Sequence, residues 1–155
     1  MKNQPARDQI SNPTAKTIAY YAAFIALGMV LASLGPTLPY LADHLKTTLS
    51  QISFLFTGRS LGYLIGSLAG GRLYDRIPGH LVLAAMLALM AAGMALVPAM
   101  PSVWALAAIL LLVGITMGGT DVGANLMLVW LHGRRVGPYL NGLLFFAGVG
   151  GFIAP

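Results

Sequence analysis

Long apolar runs separated by short polar connections make up most of the chain. A helix needs about 20 mostly apolar residues to cross a bilayer, and five runs approach or exceed that length. The predicted spans cover residues 17–41, 52–71, 81–100, 103–131 and 138–155. A polar segment, residues 1–16, precedes them. The pattern predicts an all-α, polytopic transmembrane helix bundle over residues 17–155, with a short N-terminal tail.

The composition indicates a chain that faces lipid. Hydrophobic residues make up 57% of the sequence and charged residues only 8%, whereas soluble domains carry about 25% charged residues. The net charge is +5, but the basic residues are dispersed and form no face that would bind nucleic acid. The absence of cysteine excludes disulfides, thiolate catalysis and zinc–thiolate sites. The expected partner is the lipid bilayer, and no nucleic acid, metal or organic cofactor is expected.

The basic residues at the ends of the spans predict the orientation of the chain. Cytoplasmic loops of membrane proteins are enriched in lysine and arginine. Lys46 alone falls on one side, whereas the other side carries Lys2, Arg7, Lys16, Arg72, Arg76, Arg134 and Arg135. This asymmetry predicts a multi-pass protein of the cell membrane (plasma or inner) with a cytoplasmic N-terminus. A cleaved signal peptide has an apolar core of about 7–15 residues, so the longer first run favours a transmembrane helix.

A short charged connection, residues 71–80, joins the second and third runs. Gly71 would permit close backbone approach where the helix leaves the bilayer. Asp75 can accept hydrogen bonds from a helix N-terminus or an arginine, and Arg76 can anchor at an anionic membrane surface. The same charges also suit an ordinary cytoplasmic turn, so these residues alone leave both interpretations open.

Two charged residues lie within the predicted spans. Charge in hydrocarbon is costly, so it is rare and usually functional. At a rise of 1.5 Å per residue, Asp121 lies about 15 Å and Arg59 about 20 Å from the cytoplasmic ends of their helices. Asp121 is the candidate coupling carboxylate, which would bind H⁺ or Na⁺. Alternatively, Asp121 pairs with Arg59, its candidate intramembrane charge partner, and holds the fold together.

The fourth run places polar and small residues on one helical face. Four of them fall within about 60° of one another around the helix axis: Gly114, Gly118, Asp121 and Asn125. This stripe predicts the wall of a solute cavity, in which Asn125 would contact the substrate or orient the carboxylate. Gly119 and Gly123 point the opposite way, with a spacing that suits tight helix packing.

Two further polar residues are candidates for the same cavity. Thr37 lies in the first run beside Pro36 and Pro39, and transporters use broken helices near their binding sites. The prolines are also consistent with a kink that shapes packing. Asn141, in the fifth run, is a candidate for hydrogen bonding to a solute. In the second run, three glycines at i, i+4 spacing predict close helix packing: Gly62, Gly66 and Gly70.

The connection at residues 71–80 resembles a signature of the major facilitator superfamily. Gly71, Leu73, Asp75 and Arg76 match the beginning of the family pattern G-x-L-x-D-R-x-G-R-R, and the second half of the pattern is not kept. The resemblance implies the N-terminal half of this fold, with four full spans and the start of a fifth. It also implies that Gly71, Asp75 and Arg76 form a conformational latch against the other half of the transporter.

Three further segments are similar to the sodium-dependent glucose transporter-like branch and to the fucose–proton symporter group. These segments are residues 57–63, 121–125 and 140–141. The resemblance implies a symporter, with a sugar as the candidate solute. Leu144 departs from it, because the relatives carry a polar cavity residue at that position.

Together these features predict a secondary transporter of a small solute that works by alternating access. The fifth run reaches Pro155, which predicts a fragment whose C-terminal half lies outside this sequence. The alternative is a non-transporting small membrane scaffold or an inactive fragment. An enzyme is not predicted, because His44, His80 and His132 lie in connections and the spans contain no serine–histidine or paired-carboxylate arrangement.

Overall fold

The computed structural model describes residues 12–154, which form long α-helices with short connections and no strand. The predicted all-α helix bundle is confirmed. The described residues exclude residues 1–11 and Pro155. The predicted cytoplasmic positions of Lys2 and Arg7 therefore lie outside the described residues. Single 3-10 turns follow the third and fourth helices. The helices are α1 (Pro13–His44), α2 (Leu49–Arg76), α3 (Gly79–Leu96), α4 (Val103–His132) and α5 (Gly137–Ile153).

Local sequence signals explain several helix ends. The hydroxyl groups of Thr48 and Ser102, which precede α2 and α4, accept hydrogen bonds from the backbone N–H groups three residues later (3.3 and 3.2 Å). These caps satisfy N–H groups that the first turn of a helix leaves free. Gly133 follows α4 with a φ of 52°, a left-handed conformation that glycine adopts without steric cost.

The helices extend beyond the predicted apolar runs. The first helix begins at Pro13, within the predicted tail, and proline is favoured at the first position of a helix. The connection predicted at residues 71–80 is mostly helical, because α2 continues through Arg76 and α3 begins at Gly79. Only Ile77 and Pro78 join the two helices, and the Ile77 N–H donates to the carbonyl oxygen of Leu73 (3.1 Å).

Three of the described helical segments are long and apolar enough to cross a membrane: Pro13–Thr37, Gly79–Ala99 and Val103–Arg135. A fourth, Gly137–Ile153, is apolar but shorter. The second helix is nearly as long as α4 but less apolar, because it carries charged and polar residues along its length. These lengths and hydropathies agree with the predicted polytopic transmembrane bundle.

Two pairs of helices make close backbone contacts through glycine. A side chain at Gly66 of α2 would overlap the carbonyl oxygen of Ile115 in α4, and a side chain at Gly150 of α5 would overlap that of Ile25 in α1. Small residues let helix backbones approach and gain van der Waals contact, which replaces the hydrophobic effect inside a bilayer. The predicted packing role is confirmed for the glycines of α2: Gly62, Gly66 and Gly70.

The fourth helix is the centre of the bundle and contacts each of the other four. Its side chains Leu106, Val113 and Leu128 are fully buried. The hydroxyl of Thr17, near the start of α1, is hydrogen-bonded to Nε2 of His132 at the end of α4 (2.9 Å). Residues on α4 are therefore held from several sides, which makes this helix a firm support for a polar site.

Candidate functional site

A cavity of about 410 Å³ lies between α1, α2, α4 and α5. Its apolar lining includes Phe24, Leu27, Met117 and Leu144, and its polar groups come from α2 and α4: Arg59, Ser60, Tyr63 and Asp121. A mostly apolar pocket with a few convergent polar groups is the usual form of a small-molecule site. The cavity is therefore the candidate functional site of the described residues.

The carboxylate of Asp121 is held by two neighbours. The hydroxyl of Tyr63, on α2, donates a hydrogen bond to Oδ2 of Asp121. The side-chain amide of Asn125, one turn further along α4, donates to Oδ1 (3.0 Å) and to the backbone oxygen of Asp121 (2.8 Å). Hydrogen bonds to an ionised group are stronger than those between neutral groups. Both oxygens of the carboxylate are thus oriented. Orienting this carboxylate is one of the two roles predicted for Asn125.

The predicted ion pair between Asp121 and Arg59 is absent from the described residues, and the helix register explains why. A side chain at Gly114 would overlap the carbonyl oxygen of Arg59, so these two residues lie level with each other. Asp121 follows Gly114 by seven residues, which places it about 10 Å further along α4. From the sequence, the expected depths of Asp121 and Arg59 in the membrane differ by only about 5 Å. The predicted span ends do not define how α2 and α4 are aligned along their axes.

The guanidinium group of Arg59 has no partner of opposite charge among the residues that the structure describes. Its Nε and Nη1 atoms are buried and form no hydrogen bond with a described residue. The guanidinium carbon lies 5.4 Å from the centre of the Phe56 ring, within the range of a cation–π contact. Arg59 also lines the cavity, so it supplies positive charge to the site.

The glycines of α4 do not leave room for a solute, contrary to the prediction. Side chains at Gly114 and Gly118 would overlap the carbonyl oxygens of Arg59 and Tyr63. These glycines therefore bring α4 against α2, and only Asp121 of the predicted stripe lines the cavity. Gly123, on the face predicted for packing, contacts the ring of Tyr74, which confirms its packing role.

Two predicted site residues lie away from the cavity. Thr37 is exposed on α1, where its hydroxyl donates to the carbonyl oxygen of Leu34 (2.9 Å). Asn141 is exposed near the start of α5. Of the two possibilities that the prolines beside Thr37 left open, the helix break does not occur, because α1 is continuous through Pro36 and Pro39. The contact of Thr37 and Asn141 with a solute or ion stays a prediction.

The residues of the predicted latch lie in the last two turns of α2. A side chain at Gly71 would meet no described atom within 4 Å, so the expected close approach at Gly71 does not occur within the described residues. Asp75 and Arg76 are exposed. Neither is hydrogen-bonded to another described side chain, and both remain accessible at the end of α2.

Tyr63 is the main site residue that the sequence reasoning missed. Arg59, Tyr63 and Ser67 are spaced at i, i+4 and i+8 on α2. That spacing places three polar side chains on one helical face. Ser67 donates to the carbonyl oxygen of Tyr63 (2.8 Å). The polar face of α2 could therefore be predicted from the sequence, but the hydrogen bond between Tyr63 and Asp121 could not.

A bundle of long apolar helices around a partly polar cavity defines a multi-pass integral membrane protein. Residues 20–155 match the model of the Major Facilitator Superfamily. Because this match covers most of the sequence, the chain belongs to that superfamily, and its fold is the N-terminal part of the superfamily's fold.

The chain is similar to several curated members of the superfamily. It is 37% identical over 139 residues to sodium-dependent glucose transporter 1 of Danio rerio, covering 90% of this chain and 23% of that protein. For the protein of the same name in Xenopus laevis, the identity is 39% over 127 residues, with 82% and 26% covered. Major facilitator superfamily domain-containing protein 4A of Homo sapiens is 33% identical over 141 residues, with 90% and 27% covered. The chain thus spans less than a third of these relatives' length, and no solved structure matches it significantly.

Proposed function

We propose that the chain forms most of the N-terminal half of a secondary transporter that carries a small solute by alternating access. The observation that carries this proposal is the cavity into which Asp121 and Tyr63 project. Transporters of this kind bind their solute near the midplane of the bilayer, where two repeats meet, and then rock one against the other. The C-terminal half of the same protein would supply the opposite wall of the cavity.

Asp121 is the proposed coupling residue. Its carboxylate is oriented by Tyr63 and Asn125 and lines the cavity. Binding of H⁺ or Na⁺ would neutralise it, and the energy of a charge depends strongly on how much water surrounds it. The ion therefore has a different affinity for the inward-open and outward-open states, which is the requirement for shifting an equilibrium between them.

A sugar is the first candidate for the solute. Two of the similar proteins are named as sodium-dependent glucose transporters. In the cavity, Ser60, Tyr63 and Asp121 offer hydroxyl and carboxylate groups that can bond to sugar hydroxyls, while Phe24 and Leu27 offer apolar surface. A hydroxylated ring with an apolar face fits such a lining.

The orientation and the latch complete the proposal. We place the N-terminus in the cytoplasm of a cell that carries the protein in its plasma or inner membrane. The contacts of Gly114 with Arg59 and of Gly118 with Tyr63 indicate that α2 and α4 run in parallel. Arg76 and Arg134 therefore lie at the same end, in accord with the positive-inside rule. Gly71, Asp75 and Arg76 would then form the latch with the C-terminal half.

Uptake into proteoliposomes tests the proposed coupling. The full-length protein would be reconstituted, and uptake of labelled glucose measured with and without an inward H⁺ or Na⁺ gradient. We expect Asp121→Asn to lower gradient-driven uptake about 10-fold, because the amide stays neutral and cannot bind and release the coupling ion as a carboxylate does. Asp43→Asn, at an exposed carboxylate near the end of α1, is the matched control and should leave uptake unchanged. Equal coupling in Asp121→Asn and the wild type would overturn the assignment.

A further inference from the structure

The guanidinium of Arg59 is a feature of the cavity that the proposed coupling does not use. Its Nε and Nη1 atoms are buried and have no hydrogen-bond acceptor among the described residues. A buried donor without an acceptor costs free energy, and more so when the donor is charged. The arginine is therefore expected to receive an acceptor from something that enters the cavity or closes over it.

The carboxylates of the described residues do not provide that acceptor. Asp121 already accepts hydrogen bonds from Tyr63 and Asn125, and the register places it about 10 Å from the level of Arg59 along α4. The other two described carboxylates, those of Asp43 and Asp75, lie in the last turns of α1 and α2. Among the described residues, the cavity thus has a cation without a carboxylate partner towards one end and a hydrogen-bonded carboxylate towards the other.

We propose that Arg59 is an anion subsite of the cavity and binds the carboxylate of a sugar-sized solute that carries one negative charge, such as a sugar acid. This inference rests on the proposed transport function and specifies the chemical class of the solute. The guanidinium presents a planar fork of N–H donors that matches a carboxylate in a bidentate manner. The ring of Phe56, 5.4 Å away, lies against the cation without competing for its donors.

The charge balance of the cavity favours a carboxylate over a phosphate. A phosphate monoester carries about −1.5 to −2 charges at neutral pH, whereas Arg59 contributes a single positive charge. Asp121 lies in the same cavity and would repel the excess negative charge. A solute with one carboxylate is neutralised by Arg59 and can place its hydroxyl groups towards Ser60 and Tyr63.

A matched pair of solutes tests the subsite. D-glucose and D-glucuronate differ only at the sixth carbon, where glucuronate carries a carboxylate. The full-length protein, purified in detergent, would be titrated with each solute, and binding followed as the rise in Tm with concentration. We expect the wild type to bind glucuronate about 10-fold more tightly than glucose, because a hydrogen bond to a buried charge adds affinity of that order.

Three variants identify the residue responsible. Arg59→Gln should abolish the preference for glucuronate over glucose, whereas Arg59→Lys, which keeps the charge but loses the fork, should retain part of it. Arg72→Gln, at an exposed arginine of the same helix, should keep the full preference. Equal binding of the two solutes by the wild type, or binding of neither, would overturn the subsite. If the wild type binds the two solutes equally and unliganded Arg59→Gln has a lower Tm than the wild type, Arg59 would instead be assigned to a charge pair with the C-terminal half.

The same variants distinguish a failure of the subsite from a failure of transport. Gradient-driven uptake of glucose that is equal in wild type and Arg59→Gln, with no preference for glucuronate, rejects the subsite and keeps the transporter. Binding of glucuronate that depends on Arg59, without uptake into proteoliposomes under any gradient, rejects transport and keeps the subsite.

Discussion

At the scale of single residues, the site depends on the two side chains that donate hydrogen bonds to one carboxylate. Asp121 accepts from Tyr63 on a neighbouring helix and from Asn125 on its own helix. The Asn125 contact is local, since i and i+4 side chains lie on the same face of a helix. The Tyr63 contact joins two helices, so it can change when those helices move.

Replacing Tyr63 tests whether its hydroxyl competes with the coupling ion. We expect Tyr63→Phe to lower the ion concentration for half-maximal uptake about 10-fold, because a hydrogen bond to a charged group is worth this much and its loss frees the carboxylate for the ion. The measurement is solute uptake into proteoliposomes over a range of H⁺ or Na⁺ concentrations. Tyr40→Phe, at an exposed tyrosine of α1, is the control, and an equal shift in both variants would contradict the assignment.

At the scale of the helices, glycine contacts determine the register that creates the site. The carbonyl oxygens of Arg59 and Tyr63 pack against Gly114 and Gly118. This parallel register places Tyr63 within hydrogen-bonding reach of Asp121 and leaves Arg59 too far along the axis to pair with it. The glycines therefore separate the two charges of the cavity, although neither Gly114 nor Gly118 lines it.

The α2–α4 interface predicts a position-dependent effect of adding one methyl group. Gly66→Ala should destabilise the protein by about 2 kcal/mol, because its new carbon would overlap the carbonyl oxygen of Ile115. Gly58→Ala lies two turns away on the same helix with no atom within 4 Å of its new carbon, so its Tm should stay the same or rise slightly. Thermal unfolding of the detergent-purified full-length protein measures both. Equal Tm values for the two variants would show that the interface tolerates the methyl group.

At the scale of the whole molecule, basic side chains mark the two faces of the bundle. Arg76 ends α2, and Lys46 lies in the connection between α1 and α2 at the opposite end of that helix. Because the chain contains no cysteine, single cysteines can report which side of the membrane each end faces, once cysteines elsewhere in the full-length protein are replaced.

A pair of matched substitutions tests the orientation and the latch together. Arg76→Cys should react with a membrane-impermeant maleimide only in permeabilised cells, and Lys46→Cys should react in intact cells. Arg76→Cys also removes a charge of the proposed latch, so we expect solute uptake to fall about 5-fold, whereas Lys46→Cys should transport normally. Labelling of both cysteines from the same side would refute the orientation, and equal uptake would refute the latch.

Much of the helical architecture followed from the sequence. The apolar runs predicted five helices, and the glycine spacing in α2 predicted its packing face, because both signals depend on properties that are local to one helix. The helix ends were less well predicted. The connection was predicted to begin at residue 71, but α2 continues through Arg72, its first basic residue, as far as Arg76. Hydropathy marks where hydrocarbon ends, but backbone hydrogen bonding continues past that point.

The sequence by itself determined the class of the protein, its predicted orientation and the rarity of charge in its spans, because length, hydropathy and charge are properties of the chain. Tertiary structure decided which groups meet. Helical phase indicated that Gly114, Gly118 and Asp121 share a stripe, but only the packing of α2 against α4 made the glycines a contact and left Asp121 in the cavity. It also gave Asp121 the partner Tyr63 in place of Arg59. The physical reason is that the register between two helices depends on both surfaces at once, and neither helix encodes it alone.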